Sequence, residues 1–302
     1  MLKQLKMVVF LLNVLNLSFP LRIVFAGNVP SSNTAATRQE KNVSRNPADI
    51  VCLYSGKGIH AAASDKLAAK LRREYDSQNV FEMTDPSYLQ NFLKDNTENK
   101  VCFVIPGGNT TEVVKGMGEK KEAIFSGVKK SVGKGSEYVG ICCGANLACR
   151  KLLWNASNPP MPYMKSDQLL GLLDADACFF SHEMQAAEGQ EGKWVSIKET
   201  QPGTGGTKPA PYKVYWNRGS YYLNLSKDIE VVAKYQDATV PEAPGVICGK
   251  FGKGSVIACA VHPEISHHDA NEVFQKSCSS PTLNEDMEKQ AALFHKVFRK
   301  SK

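Results

Sequence analysis

The sequence predicts an α/β domain, a doubly wound, mostly parallel sheet with helices on both faces and a strand-rich insertion. Three observations point there. Strand-like and helix-like segments alternate from residue 50 to residue 153, the order that builds a parallel sheet with helices packed on it. Val101-Cys102-Phe103-Val104-Ile105 is apolar throughout, as befits a strand buried on both faces. Tyr138-Val139-Gly140-Ile141-Cys142-Cys143-Gly144-Ala145 reads as a strand, a sharp turn and the start of a helix, with a thiol at the apex.

The elements follow in order. Ile50 to Tyr54 is the first strand, and Ala61 to Tyr75 has helical spacing with Leu67 and Leu71 on one face. Val80 to Met83 is a strand, Pro86 to Leu93 a short helix, Val101 to Ile105 a strand, and Thr111 to Gly133 one or two helices. Tyr138 to Ile141 is the strand into the turn, and Ala145 to Leu153 a helix. The pattern then changes. Residues 155–211 are rich in Pro and Gly, with strand-like runs at Ala177 to Phe180 and Trp194 to Ile197 and a flexible loop at Gly203-Thr204-Gly205-Gly206. This insertion either shapes a substrate pocket or is a surface excursion. From Val214 strands dominate: Tyr221 to Leu223, Val231 to Tyr235, Val246 to Cys248 and Val256 to Ala260. Asn284 to Lys300 closes the domain, which runs from residue 48 to 302. It is an amphipathic helix with Met287, Ala291, Leu293, Phe294 and Phe298 on its inner face.

Residues 1–26 read as a signal peptide. Lys3 and Lys6 form a basic head, Met7 to Leu17 an apolar run, and Val24-Phe25-Ala26 a cleavage site before Gly27. Pro20 and Arg22 break the apolar run, so no stable membrane anchor is expected after cleavage. Residues 27–47 are polar and read as a disordered lead. The protein is therefore expected to be exported, periplasmic or secreted. After the signal, Asn-x-Ser/Thr triplets stand at Asn42, Asn109, Asn155 and Asn224. A glycan on Asn109 would block the proposed site, which favours a bacterial envelope over a eukaryotic secretory route.

The 302 residues carry a formal charge of +7, of which Lys3, Lys6 and Arg22 belong to the signal. The remaining excess is mild and spread along the chain, the pattern of a solvated surface and not of a nucleic-acid partner. Nine cysteines imply at least one free thiol in an exported chain. Cys52, Cys102 and Cys259 lie in apolar strand patterns and read as small buried hydrophobes. Cys178, Cys248 and Cys278 are open to bridging.

The chemistry gathers around Cys142. A thiol nucleophile needs a base for its proton, and the base needs a third group to hold its ring. Val261-His262-Pro263-Glu264 follows the apolar run at Val256 to Ala260 and supplies both, with His262 as base and Glu264 as its orienter. Pro106-Gly107-Gly108 follows the third strand, so backbone N–H groups at Gly107 and Gly108, with that of Cys143, are candidate oxyanion donors. Cys143 is the alternative nucleophile, or a redox partner for Cys142, although a vicinal disulfide is outside ordinary geometry. Trp216 and Asn217 are candidate pocket residues, or a core aromatic and a turn asparagine. His182, followed by Glu183, lies in the insertion and reads as an exposed loop histidine, with contact to substrate as the alternative. His267 and His268 do not make a metal pair, because adjacent side chains diverge, and no metal or other cofactor is implied.

These residues resemble the class I glutamine amidotransferase superfamily, whose fold is flavodoxin-like. They are similar in particular to the amidotransferase-like domain at the N-terminus of some biotin–protein ligases. The closer resemblance rests on Ile50 to Gly58, the Ile-Pro-Gly-Gly loop, Gly140-Ile141-Cys142-Cys143-Gly144-Ala145, Val214-Tyr215-Trp216-Asn217 with Gly219, and Gly252-Lys253-Gly254 leading to His-Pro-Glu. Arg218 departs from that family, which often carries glycine there. No Gly-Arg-Gly-Arg-type loop for a biotinyl-adenylate occurs, so biotin ligation is not expected. The resemblance implies a thiol-dependent, amidotransferase-like hydrolase acting on a carboxamide or glutamyl-type acyl group of a small molecule or peptide. The rival reading is a non-catalytic module that binds a ligand or a partner protein.

Overall fold

The computed structural model describes residues 50–155, 160–180, 192–200, 209–236, 242–274 and 283–299. The signal peptide, the polar lead, the Gly203–Gly206 loop, His182, Glu183, Asn42 and Cys278 lie outside the described residues.

The main sheet has nine strands in the order β2-β1-β3-β4-β13-β12-β11-β8-β9. Five form its parallel half: β1 (Ile50–Tyr54), β2 (Val80–Met83), β3 (Val101–Ile105), β4 (Glu137–Ile141) and β13 (Gly254–Cys259). An antiparallel arm continues from β13 through β12 (Pro244–Phe251), β11 (Glu230–Tyr235), β8 (Lys193–Glu199) and β9 (Tyr212–Trp216). A second sheet of four strands, β10-β7-β5-β6, is built from β5 (Cys149–Trp154), β6 (Met161–Met164), β7 (Leu173–Phe179) and β10 (Ser220–Leu223).

Alternation along β1 shows how the layers are sealed. Val51 and Leu53 pack with Leu67, Ala68 and Leu71 of α1 (Ala61–Glu74) and with Leu293 and Phe294 of α7 (Leu283–Arg299), the helix that follows α6 (His267–Phe274). Cys52 and Tyr54 face the other way. They pack with Leu89 and Phe92 of α2 (Pro86–Asp95), Val113 and Met117 of α3 (Thr110–Met117), and Ile124, Phe125 and Val128 of α4 (Lys121–Lys134). Each fully buried large apolar side chain of this kind contributes about 1.5–3 kcal/mol. Asp85 and Asn109 cap α2 and α3 through their side chains, and Pro86 starts α2 where its missing N–H costs nothing.

Two expectations are corrected. Ala145 to Leu153 is not one helix: α5 (Cys143–Ala148) ends at Ala148 and β5 begins at Cys149. Cys149 and Leu152 are fully buried against the core, and parallel pairing with β7 overrides the helical propensity of the run. The insertion contributes β6 and β7 to the second sheet and β8 to the main one. On α7, Met287 and Ala291 face solvent, and the buried stripe is Asp286, Gln290, Leu293, Phe294, Val297 and Phe298. No helix among the described residues is long and apolar enough to cross a membrane.

Candidate active site

The strand order explains how residues far apart in sequence meet. In the parallel half β4 lies between β3 and β13, so three chain segments leave the same sheet edge side by side. Ile141 pairs with Cys259, and the N–H of Cys142 donates to the carbonyl of Cys259 at 2.8 Å. Gly140 pairs with Ile105, just before the Pro106-Gly107-Gly108 loop. The carboxyl ends of such strands are where α/β sheets hold ligands.

Cys142 sits between β4 and α5 (Cys143–Ala148) at φ 50 and ψ −105. A non-glycine residue at positive φ costs of order 1–3 kcal/mol and persists only where its surroundings enforce it. The flanking glycines do so. A Cβ on Gly144 would overlap the carbonyl of Ile105, and one on Gly140 would overlap the backbone of Gly144. The turn is closed by the Tyr138 hydroxyl, which donates to the Gly144 carbonyl at 2.7 Å. With only six residues, α5 has a small dipole, and its effect on the thiol rests on the free N–H groups of its first turn.

His262 arrives from β13 and is fixed by backbone and side chain. Its N–H donates to the Tyr215 carbonyl at 2.8 Å, and its carbonyl accepts from Gln290 Nε2 at 3.3 Å. Gln290 also donates to the Ile265 carbonyl, so α7 clamps the turn that carries the histidine. The imidazole Nδ1 lies 2.6 Å from Glu264 Oε1. Burial pushes the imidazole down. The Glu264 carboxylate and the Cys142 sulfur outweigh it and hold the pKa at about 10. Nε2 makes no hydrogen bond of good geometry, although the sulfur is close enough to act on the ring. The Cys142 thiol itself donates to the Asn217 carbonyl at 3.5 Å.

The glycine loop lies opposite. A Cβ on Gly107 would stand 2.5 Å from His262 Cε1, so only glycine leaves room for the ring. Ile59 and Gly108 form an antiparallel bridge, with bonds from His60 N–H to Gly107 O at 3.0 Å and from Asn109 N–H to Gly58 O at 2.8 Å. That pattern turns the Gly108 N–H away from its partner strand. Cys143 points elsewhere: its thiol donates to the Pro106 carbonyl at 3.0 Å, and burial pushes it well up. Both thiols are free.

Cys142, His262, Gly107, Gly108 and Asn217 line one cleft of about 670 Å³. Glu264 is fully buried behind His262. Trp216 is not in the cleft. Its ring packs edge-on against Phe180 at 5.6 Å within the core, the bland alternative for this residue. Arg218 stands exposed at the cleft with φ 53, a backbone state that suits glycine. Sequence reasoning missed Trp154, Tyr163 and Phe179, which also line the cleft. They lie at the end of a run read as helix and within the insertion, where only their aromatic character gave a signal.

Two triplet asparagines are engaged. Asn109 Oδ1 accepts from Glu112 N–H at 3.1 Å, and Asn224 Nδ2 donates to Asp176 at 2.8 Å. His267 and His268 do diverge. His267 is buried and stacked on Trp194 at 3.8 Å, whereas His268 is exposed. Among the described residues, His268, Asp269 and Glu272 come together, with Lys66 Nζ 3.2 Å from Asp269 and 2.8 Å from Glu272.

The sequence model of the family described as biotin-protein ligase, N terminal, matches residues 49–302. The biotin–protein ligase of Schizosaccharomyces pombe (strain 972 / ATCC 24843) is 22% identical over 227 residues, covering 72% of this chain and 33% of that protein. The chain thus spans about a third of that relative's length. Among solved structures, a glutamine amidotransferase is similar at 19% identity and a TM-score of 0.45, covering 80% of this chain and 99% of that one. PurLQS from Thermotoga maritima is similar at 15% identity and a TM-score of 0.48, covering 84% and 100%. The family match begins one residue before β1 and takes in every residue of the cleft, and the chain belongs to the biotin-protein ligase N-terminal family.

Proposed function

We propose that the cleft is the active site of a thiol-dependent, amidotransferase-like hydrolase that acts on a carboxamide or glutamyl-type acyl group. The observation that carries this reading is Cys142 held at φ 50 at the sheet edge, facing a histidine whose far nitrogen is bound to a buried glutamate at 2.6 Å. Packing alone does not account for a strained thiol beside such a pair.

The reacting form is the ion pair in which the Cys142 proton already sits on the His262 imidazole, and the sulfur attacks the amide carbon. A C–S bond forms, and the carbonyl electron pair moves to oxygen, which the Gly108 and Cys143 N–H groups receive. His262 returns the proton to the amide nitrogen as the C–N bond breaks, and ammonia or an amine leaves. Water, deprotonated by His262, then attacks the thioester. The C–S bond breaks, and the acid and free enzyme are released. Glu264 holds the ring so that Nε2 faces the sulfur and stabilises the imidazolium. The test is a screen of amide hydrolysis with wild type and Cys142→Ala. Loss of all turnover in the variant supports the assignment, and unchanged turnover refutes the nucleophile.

One observation favours a second reading, a module that binds a ligand or partner protein without chemistry. The thiol donates to the Asn217 carbonyl and not to His262. Under that reading Cys142 reacts with alkylating agents no faster than other thiols. Export is the remaining part of the proposal: the signal-like residues 1–26 support an envelope location. N-terminal sequencing of the mature protein, with Gly27 first, tests it.

A further inference from the structure

The cleft is larger than an amide needs. Pockets of about 300–1,000 Å³ take whole small molecules, and this one measures about 670 Å³. One wall comes from the second sheet. Trp154 at the end of β5, Tyr163 in β6 and Phe179 at the end of β7 all line the cleft that holds Cys142. Their rings pack on one another. Centroid separations are 6.0 Å for Trp154–Tyr163, 5.8 Å for Trp154–Phe179 and 5.6 Å for Tyr163–Phe179, and the last two pairs are edge-to-face. The wall is tied to the glycine-loop side by the Tyr163 hydroxyl, 3.4 Å from Thr111 Oγ1 in α3. Tyr163 is nevertheless 50% exposed, although aromatic side chains gain from burial.

We infer that this aromatic wall is a second subsite, and that the substrate is an amide with a planar ring in one arm. The inference rests on the assignment of Cys142 as the reacting atom, because that fixes which end of the cleft holds the amide. Geometry gives the rest. Two edge-to-face pairs leave ring faces and edges on display, and a flat ring completes such a cluster by offset or edge-on contact. An aliphatic amide or free glutamine has nothing to place there. Sequence alone hides the subsite, since its three rings come from three strands of a sheet that the insertion helps to build.

Binding of benzamide and 3-phenylpropanamide to the full chain, set against acetamide and glutamine, tests this by calorimetry. Protection of Cys142 from iodoacetamide provides a second readout. Ring amides are expected to bind at least about tenfold more tightly than aliphatic ones. Trp154→Ala is expected to erase that preference, weakening the ring amides by at least about tenfold relative to the aliphatic ones. Tyr163→Ala, at a half-exposed edge position, reduces it if Trp154→Ala fails to fold. Equal binding of ring and aliphatic amides, or equal weakening of both in the variants, overturns the inference. Heat of ring binding without any hydrolysis or selective alkylation leaves the subsite standing and sinks the hydrolase. Turnover without ring preference does the reverse.

Discussion

His262 Nδ1 and Glu264 Oε1 lie 2.6 Å apart, with the histidine 4% and the glutamate 0% exposed. An imidazolium alone at such depth would give up its proton, since burial disfavours the charged form. Together the two groups stabilise a proton on the imidazole beside the one thiol that, among the described residues, stands at positive φ. Charge, strain and cleft coincide at the end of β4.

The pair predicts a pH dependence of stability. The imidazole is held at about 10, above its ordinary 6.5, so the folded state binds this proton more tightly than the unfolded state. The contribution is fully present below pH 6.5 and drains away as pH rises to about 10. Urea unfolding of wild type at pH 6 and pH 10, set against Glu264→Gln at the same pH values, measures it. Wild type should lose more stability across this window than the variant, and turnover of the variant should fall roughly 10²–10⁴-fold.

Strain at Cys142 predicts an ordering of two variants that both lack the sulfur. Cys142→Ala keeps the unfavourable φ, whereas Cys142→Gly relieves it at an entropic cost of about 0.5–1 kcal/mol. Thermal melting should find Cys142→Gly the more stable of the two by about 1 kcal/mol. The reverse order would mean that the turn does not strain its apex.

Two glycine variants should fail in different ways. Gly107→Ala puts a methyl 2.5 Å from His262 Cε1, and a side-chain ring can swing aside. It should fold and lose about 10²-fold in turnover through misplacement of the base. Gly144→Ala meets the backbone carbonyl of Ile105, which cannot move without the sheet. It should cost about 3 kcal/mol or more, read in a denaturant melt.

Much of this arrangement was legible in the sequence because the relevant forces are local. The strands Ile50–Tyr54, Val80–Met83 and Val101–Ile105 stand where their short, mainly apolar runs placed them. The glycines around Cys142 announced a turn too tight for side chains. Other features depend on pairing between distant segments, which leaves a weaker local trace. The run after Ala148 has no pattern that tells strand from helix, and β7 decides it. Trp216 and Asn217 are neighbours, yet the alternation of β9 sends the indole into the core and the turn leaves Asn217 at the cleft. Nothing local in Tyr163 or Phe179 says that they face Cys142, because that depends on how β5, β6 and β7 assemble.

The central claim is that Cys142 is activated by its neighbours, and timed alkylation with iodoacetamide followed by peptide mapping at pH 7 tests it most directly. Cys248 is partly exposed and serves as the internal standard, whereas Cys142 is only 6% exposed. The predicted result is alkylation of Cys142 at least tenfold faster than Cys248, with the advantage lost in His262→Gln. Labelling of Cys142 no faster than Cys248, or a rate indifferent to His262, would contradict it.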